Sequence, residues 1–344
     1  MRLDSPIHIH WEVAGRCNLS CVHCYQQADN KRRRPLPEDT LFDIARKLVA
    51  GGVFQVTLTG GEPFLITCLR GLVEYFNMNG ITPQISSNGT LIDRATVSWL
   101  TSVQAKLQIS LDSDKPRVHD DIRRHIGAFR LALAALDLLQ EHDIPVSVAF
   151  CATSRNVRDV EGVVGLAISR GIEVLAIGEV LPLYGSYRDQ LALSENQYQQ
   201  LVETVVRLRS TCSEDIDIQF ASQWGFLYSV EVEHNPCTAM DRDVAVLHDG
   251  SVVPCPFVRH ESYVMGNLLH CDLRGAWQCE AATRFRNQKH VGCEATCRYY
   301  AVCRGGCKAP LANAGMPIAV ASPWCPLVRN NRWEAADGRA VLTC

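Results

Sequence analysis

Residues 7–13 alternate apolar and polar side chains and run into Gly15, the pattern of a strand that feeds a loop. Beyond a polar stretch, Leu41, Ile44, Ala45, Leu48 and Val49 recur at helical spacing, with Pro37, Glu38 and Asp39 at the start of that helix and Gly51-Gly52 at its end. A strand over 54–58 follows at once. The unit then repeats as helix 66–79, strand 83–86, helix 91–102, strand 106–111, helix 126–142, strand 145–151, helix 157–170 and strand 172–177. Short apolar strands alternating with helices predict parallel β/α units, because parallel neighbours need a crossover of that length. Six such units make an α/β fold with a partial (β/α)6 barrel, two units short of the common closed barrel.

After residue 190 the texture changes. A helix over 194–212, with Leu201, Val205 and Leu208 on one face, reads as a connector within 191–235, and the regular alternation stops there. Residues 244–253 read as a hairpin turned at Asp249-Gly250, followed by loops rich in Cys, Gly and Arg. The expected organisation is therefore a barrel over 1–190, a helical connector over 191–235 and a small Cys-rich α+β domain over 236–344.

In parallel β/α folds the loops at the carboxyl ends of the strands carry the chemistry. Cys17 to Cys24 follows the first strand, Gly60-Gly61-Glu62-Pro63 the second and Ser86-Ser87-Asn88-Gly89 the third, while Ser110-Leu111-Asp112 ends the fourth. Each alone reads as an ordinary turn. Together they place four polar loops on one face.

Composition narrows the function. With 34 basic and 37 acidic residues and a net charge of -3, the chain has no overall attraction for nucleic acid or an anionic membrane. The N-terminus lacks the apolar core of about 7–15 residues that a secretory signal needs, and no apolar run reaches the ~18 residues of a membrane span. A soluble, cytoplasmic protein is expected. The basic run 31–34 is either a solvated loop or a contact for an acidic substrate.

The sixteen cysteines are the unusual feature. Three lie within 17–24, only Cys68, Cys151 and Cys212 lie between 25 and 236, and ten lie in 237–344. In a large chain without an export signal such clusters read as metal ligands rather than disulfides. Zinc takes four ligands, and beside Cys17, Cys21 and Cys24 only His23 offers a fourth; three thiolates in one loop better suit an iron–sulfur cube with one iron left open. The C-terminal cysteines, taken alone, suit zinc as well as iron.

Cys17-Asn-Leu-Ser-Cys21-Val-His-Cys24-Tyr25, joined to Gly60-Gly61-Glu62-Pro63 and Ser87-Asn88-Gly89 in that order, resembles the cluster loop and following motifs of the radical S-adenosylmethionine (SAM) enzymes over roughly residues 6 to 180. His23 stands where many members carry an aromatic residue. The resemblance implies that Cys17, Cys21 and Cys24 hold a 4Fe–4S cluster and that SAM chelates its open iron. It further implies that Glu62 binds the SAM ammonium, that Ser87 and Asn88 face the ribose or methionine part, that Ser110 and Asp112 line the same side, and that Arg123 pairs with the SAM carboxylate. An electron from the cluster would then cleave SAM to methionine and a 5′-deoxyadenosyl radical, which abstracts a hydrogen atom.

The C-terminal pattern, Cys237-x12-Gly250-x4-Cys255, then Cys293-x3-Cys297-x5-Cys303-x3-Cys307 and Cys325, closely resembles the SPASM domain, with x3 where x2 is usual after Cys293. By that resemblance two auxiliary 4Fe–4S clusters are expected, one on Cys237, Cys255 and Cys307, the other on Cys293, Cys297, Cys303 and Cys325. Residues 238–254 contain no cysteine to complete the first, which leaves Cys271 or Cys279, a group such as Asp241, or a substrate atom as the remaining ligand. Cys68, Cys151, Cys212 and Cys344 read as buried or incidental thiols.

Such enzymes mostly act on ribosomally made peptides, so a peptide-modifying maturase is the leading expectation. A dehydrogenase or decarboxylase for small-molecule or tetrapyrrole side chains is the second reading, and a non-catalytic zinc or iron–sulfur protein the third. The expected partners are a peptide or small-molecule substrate and a reductant such as flavodoxin or ferredoxin. Because the first strand begins near residue 7, a separate leader-peptide recognition protein, or a short substrate, is also expected.

Overall fold

The computed structural model describes residues 3–26, 33–181, 190–232, 237–287, 293, 297–320, 322 and 325–329; Lys31 and Arg32 of the basic run, and Cys344, lie outside them. Strands β1 (His8–Ala14), β2 (Gln55–Gly60), β3 (Gln84–Ser87), β4 (Lys106–Ser110), β5 (Val146–Ala152) and β6 (Val174–Glu179) pair in parallel in chain order. This is the open, partial barrel that the alternation predicts. Helix α1 (Glu38–Ala50) buries Leu41, Ile44, Ala45 and Leu48 and carries Glu38 and Asp39 in its first turn, where they complement the positive end of the helix dipole. α2 (Leu69–Met78), α3 (Arg94–Leu100) and two helices after β4, α4 (Pro116–Arg123) and α5 (Ala128–Glu141), continue the outer layer with α6 (Val160–Ile168).

Three differences from the sequence reading matter for the site. First, α7 (Glu195–Thr211), opened by a reciprocal Ser194–Gln197 capping box, is more than a connector: it leads to β7 (Asp217–Ala221), which pairs in parallel with β6. β7 escapes an apolar-run reading because Asp217 and Gln219 on one face are polar, as an edge strand allows. Second, the hairpin of β8 (Asp243–Val246) and β9 (Ser251–Val253) turns at Gly250 as expected, but β8 also pairs in parallel with β1. With β10 (Gly266–Asn267) the result is one ten-stranded sheet, β10-β9-β8-β1-β2-β3-β4-β5-β6-β7, in which the Cys-rich segment continues the barrel wall. Third, α4 is a short helix with few apolar positions, begun by Pro116 and ended by Arg124 in the left-handed region, and its polarity hides it from periodicity.

The barrel wall has two unlike faces. Trp11, Leu58, Ile85, Ile109, Val148 and Ile177, alternate residues of their strands, are at most 1% exposed and form the core under the helices. Trp11 meets Phe76 of α2 edge to face. The intervening residues point inward and are small or polar: Thr59, Ser86, Gln108, Ser110, Ala149 and Gly178. A closed eight-stranded barrel fills its axis with layers of bulky side chains. Here the inward set leaves a cavity of about 1090 Å³. Among the described residues, no helix is long and apolar enough to cross a membrane.

Candidate active site

The cysteine loop after β1 is held at the cavity mouth from three sides. The Gly61 and Glu62 amides donate to the Ala14 and Arg16 carbonyls at 2.7 and 2.9 Å, and the Val22 amide donates to the Ile122 carbonyl of α4 at 2.8 Å. Asn88 Nδ2 donates to Asn18 Oδ1 at 3.0 Å, while Asn18 Nδ2 donates to Thr90 Oγ1 at 2.8 Å. The approach at Gly61 leaves no room for a side chain, since a Cβ there would lie 1.8 Å from the Arg16 carbonyl oxygen.

Cys17, Cys21, Cys24, Ser87, Asn88, Ser110, Asp112 and Arg123 all line the cavity, so the structure brings these sequence-predicted residues together. Glu62 stands behind that wall and is fully buried. Its carboxylate accepts from Ser87 Oγ at 2.9 Å, the Asn88 amide at 2.9 Å and the Phe64 amide at 3.2 Å. Burial pushes its pKa up to about 7, against the pull of those hydrogen bonds. Glu62 therefore fixes the β3 loop from below; of the roughly four acceptor positions on a carboxylate, three are used by the chain.

A second group sits opposite. Asp112, wholly buried, pairs with Arg123 Nη2 at 2.7 Å and faces His23 Nε2 at 3.6 Å. Burial pushes its carboxyl up, but the charges of Arg123, His23 and His119 outweigh that and hold it below the ordinary value. Arg123 Nη1 points at Cys21 Sγ, 3.8 Å away, and its buried Nε–H finds no hydrogen-bond partner. A guanidinium with an unused donor at a cavity wall can still receive a ligand carboxylate.

Three cysteines of one loop on the cavity wall are a donor set that fits an iron–sulfur cube. Burial raises the Cys17 thiol to about 12, aided by Glu62, Cys21 and Cys24, so the thiolates need a metal to stabilise them.

The C-terminal cysteines influence one another electrostatically within two sets. Cys307 is raised by Cys255 and Cys237, and Cys255 by Cys237; Cys293 and Cys303 are raised by Cys297 and Cys325. Cys271 and Cys279 are satisfied locally, the first donating to the Asn267 carbonyl at 3.2 Å, the second accepting from the Ala282 amide at 3.4 Å. Asp241 stays in the turn after Cys237, its amide bonded to the Thr238 carbonyl at 3.1 Å. Cys151, read as incidental, lines the cavity.

Two sets of residues escaped the sequence reading. The first couples the two cysteine regions: the Tyr25 ring packs on Phe257 at 4.7 Å between centroids, and the Arg259 guanidinium stands 5.4 Å over Tyr25. Arg259 also pairs through both terminal nitrogens with Glu12 of β1. The second is Glu179, at the end of β6 two residues past the strand read from sequence. It lines the cavity, meets the Gln223 amide at 3.4 Å and the Tyr198 hydroxyl at 3.5 Å, and is raised by burial to about 7. Gln223 in turn accepts from the Cys307 amide at 3.3 Å, so Glu179 stands between the cavity and the first auxiliary group.

Comparison with known proteins agrees with this layout. The Radical SAM superfamily model matches residues 11–167, and the SPASM iron-sulfur cluster-binding domain model matches residues 237–308. Mycofactocin maturase MftC of Mycolicibacterium smegmatis is 30% identical over 335 residues, covering 94% of this chain and 83% of its own. The AdoMet-dependent heme synthase of Methanosarcina barkeri is 25% identical over 341 residues, covering 94% and 97%. The crystal structure of Streptococcus suis SuiB bound to S-adenosylmethionine shares the fold with a TM-score of 0.81 at 17% identity, covering 95% of this chain and 78% of SuiB; SuiB bound to its precursor peptide SuiA gives 0.80 at 18%, covering 95% and 77%. Identity over almost the whole length, with both family models in the expected order, shows that the chain belongs to the radical SAM superfamily, as an enzyme that binds SAM and a 4Fe–4S cluster and carries auxiliary iron–sulfur clusters in a SPASM domain.

Proposed function

We propose that this enzyme modifies a side chain of a ribosomally synthesised peptide or protein by a crosslink, oxidation or epimerisation, and that its sites are used as follows. Cys17, Cys21 and Cys24 hold the barrel cluster; Cys237, Cys255 and Cys307, and Cys293, Cys297, Cys303 and Cys325, hold the auxiliary ones. When bound, the barrel cluster supplies SAM with the electron that breaks its S–C5′ bond, giving methionine and the 5′-deoxyadenosyl radical that takes a substrate hydrogen atom. Arg123, kept oriented by Asp112, offers donors to the SAM carboxylate. Ser87 and Asn88, held by Glu62 from behind, set the wall on the ribose or methionine side, and Ser110 lines the barrel opposite. The protein wall excludes water from the radical.

The observation that carries this reading is the cavity. At about 1090 Å³ it exceeds the ~300–1,000 Å³ of an ordinary small-molecule pocket and runs from the cysteine loop to Phe257 and Glu179, enough for SAM and a substrate segment together. The similarity to heme synthases makes a tetrapyrrole the rival substrate. Among the described lining residues, however, the cations are Arg123, already paired with Asp112, and Arg209, while Glu179 and Glu231 are acidic. That balance suits a peptide side chain better than the several carboxylates of a tetrapyrrole. A flavodoxin or ferredoxin as reductant and a separate leader-recognition protein complete the proposal.

The test is anaerobic turnover with SAM, reductant and a candidate ribosomal precursor peptide, read as deoxyadenosine release and peptide mass change. A mass change with the peptide, lost in Cys17→Ala while iron persists in the C-terminal domain, is the expected result. Deoxyadenosine release with carbon dioxide loss from a coproporphyrin, and none with peptide, would refute the peptide reading.

A further inference from the structure

The one compact set of metal-ligand atoms among the described residues lies outside the cysteine regions. His8, His10 and Asp243 each bring one ligand atom within 4.8 Å of the others. The placement follows from the sheet. His8 and His10, two apart on β1, project to the same face, and the parallel register of β1 with β8 sets Asp243 opposite His8. None of the three lines the large cavity; they stand toward the amino ends of the strands, away from the cysteine loop.

We infer that His8, His10 and Asp243 form a two-histidine, one-carboxylate site for a divalent transition-metal ion such as zinc. Three atoms within 4.8 Å of one another fit inside a circle of radius about 2.8 Å, so each moves at most about 0.7 Å to reach the ~2.1 Å of a bond from nitrogen or oxygen to zinc. Asp243 is 8% exposed, and no hydrogen bond reaches its Oδ1, which faces His8 Nδ1 at 3.4 Å. A buried carboxylate oxygen left so is costly unless a cation or proton meets it. The other carboxylate oxygen accepts from the Thr238 hydroxyl, which orients it. His8 Nε2 lies 2.9 Å from Thr57 Oγ1, the outer partner that fixes a ligand ring and leaves the second nitrogen for a metal. The His8 and His10 ring centroids are 4.3 Å apart, which sets the two imidazoles side by side on one face of β1. The nearest other cation, Arg242 Nε at 3.9 Å from Asp243, is more than half exposed and is displaced at small cost.

Two imidazoles and one carboxylate leave open coordination positions and a net positive charge on a divalent ion, a donor set suited to zinc or iron(II) rather than calcium or magnesium. Because β1 leads into the radical SAM segment and β8 lies in the SPASM segment, the ion would tie the barrel to the SPASM domain at the end opposite the reaction.

The experiment uses the cluster-reconstituted holoenzyme, washed with chelator and then titrated with zinc, read by metal analysis and zinc-edge X-ray absorption. One zinc per chain is expected, in a shell of nitrogen and oxygen at about 2.0–2.1 Å with no sulfur near 2.3 Å. His10→Ala and Asp243→Asn should each weaken zinc binding by about 100-fold or more, and Thr57→Val, which spares every ligand, by about 10-fold. Sulfur in the shell would place the zinc on cysteines and overturn the inference. Zinc binding unchanged in Thr57→Val and in whichever ligand variant folds would overturn it too, leaving the triad as an ion-pair network.

Discussion

The Glu12–Arg259 pair joins the strand that leads into Cys17 to the loop that leaves Cys255, and its removal has a calculable signature. Glu12 is 1% exposed, and the Arg259 side chain 23%. In Arg259→Met the carboxylate keeps its burial and loses both terminal nitrogens, and His248 Nδ1, 3.9 Å away, is too far for a hydrogen bond. Breaking one side of a buried pair costs about 3–5 kcal/mol, and the partial exposure of Arg259 puts the value near the lower figure. At roughly 2 °C per kcal/mol for a chain of this size, Tm should fall by about 6 °C. The double variant Glu12→Gln/Arg259→Met leaves no charge stranded and should recover most of that loss. The pH dependence gives the sign. In the wild type, burial raises the Glu12 pKa, but the His248 and Arg259 contacts outweigh it and hold it below 4.5, so the pair's stabilisation is complete above that value and is lost as pH falls through the lowered one. In Arg259→Met burial still raises the Glu12 pKa while the Arg259 contribution is lost and that of His248 stays, so the folded pKa rises relative to the wild type and the penalty grows as pH climbs through it. The Tm deficit, measured by anaerobic calorimetry on the holoenzyme, should therefore be larger at pH 8 than at pH 5.5. Equal deficits at both pH values, or a double variant as unstable as the two singles summed, would refute the stranded-charge argument.

Glu179 should make the protein pH-sensitive in the opposite sense: burial raises its pKa to about 7, so stability is full below the ordinary carboxylate value of 4.5 and declines as pH rises to about 7, a slope that Glu179→Gln should flatten in melting curves. If Glu179 also takes a proton from substrate, Glu179→Gln should lower product yield while deoxyadenosine release persists; unchanged product at every pH would remove it from that role. Gly61→Ala forces a Cβ to 1.8 Å from the Arg16 carbonyl, so the cysteine loop must shift and the barrel iron should be lost while iron in the SPASM domain remains. A full iron count in that variant would contradict the close packing.

The elements readable from sequence were those whose signal is local. Leu41, Ile44 and Leu48 mark α1 because one helix buries them in one direction, and Asp249-Gly250 marks its hairpin because the turn itself demands glycine's left-handed backbone. Cysteine spacing is local as well and marked the C-terminal cysteines as ligands, whereas their division into two groups was implied by the resemblance alone. What depended on distant partners was not legible. The polar residues His10 and Glu12 supported a strand reading by alternation, yet nothing near them in sequence says which distant residues their face meets. That face acquires meaning only when β8 docks on β1 across more than two hundred residues, bringing Asp243 to His8 and Arg259 to Glu12. The same docking sets Phe257 on Tyr25. Each contact joins a residue next to a barrel cysteine, or on its strand, to one in the SPASM segment. The two cysteine regions are therefore held by one continuous sheet and a buried ion pair, and their spacing is a property of the core rather than of a flexible linker.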